Sequence, residues 1–84
     1  MAYRIVYKKS IQRDLQKLDK NEASHLLDQI ENYLSKHPES FPILKGHFAG
    51  LRKYRVGNYR VIYAIMGEEI IILRIGDRKD VYKK

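Results

Sequence analysis

The sequence predicts an α+β fold of order β-α-α-β-β-β, a helical hairpin packed on one face of a small, mostly antiparallel sheet. Three observations predict it. Residues 2–7 (AYRIVY) are rich in aromatic and β-branched side chains, apolar residues recur at helical spacing between Ile11 and Leu34, and residues 51–75 read as strands separated by Gly57-Asn58 and Gly67-Glu68. Two helices side by side need one sheet face to bury their stripes, so a two-layer arrangement follows.

Each element has its own signal. Ser10 precedes Ile11, Leu15 and Leu18, which sets a first helix over about residues 10–18. Asp19 with Glu22 three positions later fits a capping box, and Ala23, Leu26, Leu27, Ile30, Tyr33 and Leu34 form the stripe of a second, longer helix. Pro38 ends it, because proline cannot continue a helix and pushes His37 out of the helical region. Residues 37–50 form a connection long enough to suggest function. Gly57-Asn58 is a two-residue hairpin turn with positive φ. Residues 70–75 read as the last and most buried strand, closed by Gly76.

The 84 residues form a single domain with room for one modest core. With 44% apolar and 32% charged residues the composition is that of a folded domain, and no apolar run approaches a membrane span. The sequence has no cysteine, which excludes disulfides and thiolate metal sites, and His25, His37 and His47 lack metal-ligand spacing. No metal or cofactor is expected. Residues 1–10 lack the apolar segment of a secretory signal, so the cytoplasm is the expected compartment.

Charge points to a partner. Residues 1–42 hold seven Lys/Arg and six Asp/Glu, a net of +1, whereas residues 43–84 hold ten and four, a net of +6. Residues 45–66 carry Lys45, Arg52, Lys53, Arg55 and Arg60 without one acid. A concentrated positive field attracts polyanions, so nucleic acid, an acidic protein or both are the expected partners. If Gly57 and Asn58 alone make the turn, Val56 sits opposite Tyr59, Arg55 opposite Arg60, and Lys53 joins their face. Arg52 and Tyr54 alternate to the other face, and Tyr59 and Tyr63 read as structural aromatics. The face of Arg74 depends on the length of the second turn. Tyr82 either locks the tail or stacks on a base.

Residues 44–46 (LKG), 50–63 (GLRKYRVGNYRVIY) and 75–82 (IGDRKDVY) together resemble the RelE/ParE superfamily of bacterial and archaeal toxins. The similarity in element order covers essentially the whole chain. The resemblance implies the toxin of a toxin–antitoxin pair, neutralised by a cognate antitoxin that wraps its surface. RelE-like members cut mRNA in the ribosomal A site, and ParE-like members poison DNA gyrase. The RelE pattern falls here on Lys53, Arg60, Arg78 and Tyr82 as catalytic residues, with Lys45, Arg52 and Arg55 binding RNA. Leu51 stands where some relatives carry another lysine.

This set suits cleavage of RNA by its own 2′-OH. The planar fork of Arg60 fits a pentavalent phosphorane dianion. Lys53 is the candidate base, since neighbouring guanidinium groups favour its neutral form. Arg78 stabilises the leaving oxygen, and Tyr82 stacks on a splayed base or donates a proton. The reading is therefore a metal-independent, ribosome-dependent endoribonuclease acting on mRNA. A gyrase inhibitor of the same fold, or a basic binding module, is the alternative.

Overall fold

The computed structural model describes residues 3–44 and 50–77. In chain order these residues form β1 (Arg4–Tyr7), α1 (Ile11–Gln16), α2 (Lys20–Gln29), β2 (Arg52–Val56), β3 (Tyr59–Met66) and β4 (Glu69–Asp77). α2 continues through a π-helical turn, Ile30–Leu34, and a 3₁₀ turn follows at Pro38–Ser40. The order is the predicted β-α-α-β-β-β. Among the described residues no helix is long and apolar enough to cross a membrane.

The sheet order is β1-β4-β3-β2. β2 with β3 and β3 with β4 are antiparallel, while β1 lies parallel to β4 with Arg4 opposite Glu69 and Tyr7 opposite Ile72. A parallel pair needs a crossover, and the helical hairpin is part of it. The helices bury Ile11, Leu26, Ile30 and Leu34 against Tyr54, Val61, Tyr63, Ile70, Ile72 and Ile75 of the sheet. Full burial of one such aliphatic chain contributes about 1.5–3 kcal/mol.

Tyrosine hydroxyls strap the layers together. Tyr59 Oη donates to Glu22 (2.6 Å), Tyr54 Oη to Gln29 (3.2 Å), Tyr7 Oη to Glu31 (3.2 Å), and Tyr63 Oη to the Pro38 carbonyl (2.5 Å). Tyr54 and Tyr63 are thus structural, as expected, and Tyr59 packs against the same core. Asp19 caps α2, but with the N–H of Asn21 in place of the reciprocal pair with Glu22 that a capping box requires. Asp19 Oδ2 accepts the Asn21 N–H at 3.2 Å, but the Glu22 carboxylate turns to Tyr59.

The described part of the long connection is tied to β2 by backbone hydrogen bonds. Leu44 N–H donates to the Leu51 carbonyl (2.7 Å) and Lys53 N–H to the Pro42 carbonyl (3.1 Å), so a one-residue bridge at Ile43 shields the outer edge of β2. Tyr33, Phe41 and Tyr54 cluster beside it, with ring centroids 4.7–6.2 Å apart. Such pairs contribute about 0.5–1.5 kcal/mol each beyond their burial.

Burial pushes ionisation of Tyr63 up to about 12, with the Arg52 charge opposing. The folded value exceeds the unfolded one, so this contribution to stability is complete below about pH 10 and lost as pH rises towards 12. Tyr63→Phe should unfold with about 1–2 kcal/mol less stability in urea at neutral pH, because the Pro38 carbonyl loses its donor. Its stability should also fall less steeply than that of the wild type between pH 10 and 12. Identical alkaline slopes would show that the hydroxyl is not held as described.

Candidate nucleic-acid interface

The hairpin turn builds this surface. Gly57 has φ +59°, Asn58 does not have a positive φ, and the pair forms a two-residue turn with the first position left-handed. That geometry matches the twist of the flanking strands and suits glycine there. With the turn fixed at two residues, Val56 pairs with Tyr59, Arg55 with Arg60, Tyr54 with Val61 and Lys53 with Ile62. The side chains of Tyr54 and Val61 enter the core, so Lys53, Arg55, Arg60 and Ile62 occupy the opposite face of the sheet.

Two rows cross that face. Arg55, Arg60 and Gly76 form one, and Lys53, Ile62 and Arg74 the next. Like charges directly opposite one another on a sheet repel, by roughly 0.2–1 kcal/mol per pair. Among the described residues neither Lys53 nor Arg55 has a carboxylate partner. Arg55 Nε makes one long bond, 3.4 Å, to the Gly57 carbonyl.

Exposure divides the set. Arg55 is exposed and Lys53 half-buried, whereas Arg60 is only 8% exposed and Ile62 is fully buried. Arg60 is also engaged in interactions of its own. A buried guanidinium requires partners, so Arg60 is held at the centre of this face while Lys53 and Arg55 of β2 are its more accessible cations. The three cations share one face, as the alternation predicts, but differ in access, with Arg55 exposed, Lys53 half-buried and Arg60 enclosed.

Arg52 does something else. Its Nη1 donates to the carbonyls of Phe41 (2.8 Å) and Glu39 (3.3 Å) on the helix side of the sheet, as the alternation predicts. This guanidinium fixes residues 39–41 and with them the bridge at Ile43. Its geometry is that of a strut, and the expectation that it binds RNA gains no support from it.

Arg74 was ambiguous because its face depends on the second turn. That turn has two residues, pairing Met66 with Glu69, but a bulge between Ile62 and Tyr63 shifts the later register so that Ile62 meets Arg74. The extra residue, Leu73, reverses the parity that a two-residue turn alone would give. Arg74 Nε then approaches Asp14 of α1 at 3.6 Å. Asp14 itself was missed. It falls within the stripe set by Ile11, Leu15 and Leu18, and an acid on an apolar stripe is the signal that could have revealed it. Lys45, Arg78 and Tyr82 lie outside the described residues.

Arg55→Glu places an acid opposite Arg60. The variant should be as stable as the wild type or more stable by up to about 1 kcal/mol in denaturant unfolding. A loss larger than about 1 kcal/mol would show that Arg55 is a structural residue and not an unneutralised cation.

Comparison with known proteins agrees with this architecture. The profile described as "ParE toxin of type II toxin-antitoxin system, parDE" matches residues 3–82. The toxin–antitoxin complex RelBE2 of Mycobacterium tuberculosis superposes with TM-score 0.86 at 27% identity, over 93% of this chain and 100% of that one. The archaeal RelE–RelB complex of Pyrococcus horikoshii gives TM-score 0.71 at 31% identity, over 95% and 99%. A mutant of the toxin RelE from E. coli in the free state shares the fold, with TM-score 0.75 at 17% identity, over 98% of this chain and 88% of that one. No curated protein matches the sequence. With a family profile spanning nearly its whole length and the same mixed sheet under a helical hairpin, this chain belongs to the RelE/ParE superfamily and is the toxin of a type II toxin–antitoxin system.

Proposed function

We propose that this toxin arrests translation by cutting mRNA in the ribosomal A site and that its cognate antitoxin neutralises it. The observation that carries this reading is the register of β2 on β3, which sets Arg55 opposite Arg60 and Lys53 on the same face. Its support among solved structures is the likeness to two RelB–RelE complexes at 27% and 31% identity.

In this mechanism the 2′-OH attacks the adjacent phosphorus, forming the O2′–P bond as the P–O5′ bond breaks. Lys53 takes the 2′ proton and Arg60 neutralises the equatorial oxygens. Arg78 stabilises the departing O5′, which gains a proton from Tyr82 or water. The exposed guanidinium of Arg55 holds a neighbouring phosphate. Enclosure of Arg60 suits preorganisation, because a charge fixed by its surroundings needs little reorientation during the reaction. The ribosome supplies the alignment of the RNA, so free RNA should be cut slowly.

A gyrase-directed inhibitor is the second reading, favoured by the ParE description of the matching family. Primer extension on transcripts from cells expressing the toxin separates the two. New 5′ ends within translated frames, absent in Arg78→Ala, are expected, with the variant's stability unchanged within about 0.5 kcal/mol. Intact transcripts with stalled replication would establish the gyrase reading instead.

A further inference from the structure

Asp14 is a buried acid with two partners on one strand. It is 8% exposed, its Oδ2 accepts the Ile75 N–H at 3.0 Å, and the same oxygen lies 3.6 Å from Arg74 Nε. The strand it touches needs that acceptor. β1 pairs with β4 only from Glu69 to Ile72, and Lys8 N–H closes the ladder on the Ile72 carbonyl at 3.1 Å. Beyond Ile72 no strand among the described residues pairs with this side of β4, so without Asp14 the Ile75 N–H would lack this acceptor. The bulge at Leu73 turns the chain here, and α1 brings Asp14 to the gap.

We infer that Asp14 is a positioning residue: its carboxylate latches α1 to the end of β4 and so fixes the strand residues that precede Arg78 and Tyr82 in the sequence. On the other side, β3 holds the same stretch through Arg60 opposite Gly76 and Tyr59 opposite Asp77. The latch therefore completes a two-sided grip on the last strand residues before Arg78. This inference rests on the proposed role of Arg78 and Tyr82 in RNA cleavage. Asp14 touches no substrate in this account.

Replacing an interior side chain of α1 with one that cannot accept should loosen the strand end selectively. In Asp14→Ala, amide exchange at residues 73–77 should speed up about tenfold or more relative to wild type, while β2 and the rest of β3 keep their protection. Growth arrest by the expressed toxin should weaken by about tenfold, following the loss of orientation at residues the strand delivers. Asp14→Asn retains an acceptor for the Ile75 N–H and should restore both readouts to within about threefold of wild type. If the alanine variant does not fold, Asp14→Glu replaces it, since the extra methylene moves the carboxylate off Ile75 while keeping the charge. Wild-type exchange at residues 73–77, or exchange raised equally throughout the sheet, would overturn the inference. So would full toxicity in a variant whose strand end has loosened. Primer extension run on the same cells reports the cleavage reading separately: growth arrest without mRNA cuts rejects the nuclease, whereas amide exchange at residues 73–77 tests the latch itself.

Discussion

The two-residue turn at Gly57-Asn58 is the constraint on which the functional surface depends. Side chains alternate with a period of two, so a slip of one residue between β2 and β3 would move Lys53 and Arg55 into the core and Tyr54 and Val56 into solvent. The left-handed Gly57 fixes the turn length, the turn length fixes the register, and the register places Arg55 against Arg60. Burial of Tyr54 and Val61 on the helix side enforces the same answer from the opposite face.

The sheet thereby serves two unlike purposes. Its helix side is dense with apolar contacts and is tied to α2 by tyrosine hydroxyls at Glu22, Gln29 and, from β1, Glu31. Those bonds join residues far apart in sequence and tie the sheet to the helical layer. The other side accepts a like-charge pair on adjacent strands. An arrangement that opposes folding on one face is tolerable because the other face supplies the stability, and the repulsion is relieved when an anion binds.

Much of this was legible in residue order. Apolar spacing gave both helices, the glycine turn gave the hairpin, and the net charge of residues 43–84 pointed to a polyanion or acidic partner. What escaped prediction depends on tertiary context. Leu73 forms a bulge because β4 must leave β1 and meet α1, and no local pattern marks that point. Alternation placed Arg52 on the helix side, but not the two carbonyls that accept its protons there, because those belong to the connection after α2. Arg60 was placed on the correct face, but enclosure at the centre of a sheet cannot be read from alternation. Asp14 stands out as an acid on the apolar stripe of α1, but the strand N–H that it accepts belongs to β4 and is not legible from the helix.

The central claim is that the two accessible cations of β2 face the bound RNA, Lys53 beside the phosphate that is cut and Arg55 on a neighbouring one. Its most direct measurement is the salt dependence of binding to a single-stranded RNA oligonucleotide by the wild type and by the Lys53→Ala/Arg55→Ala double variant. Loss of two phosphate contacts predicts that the slope of log K against log salt becomes shallower by about 1.4, with the fold intact. An unchanged slope would contradict the account, because it would mean that these two cations lie away from the bound strand.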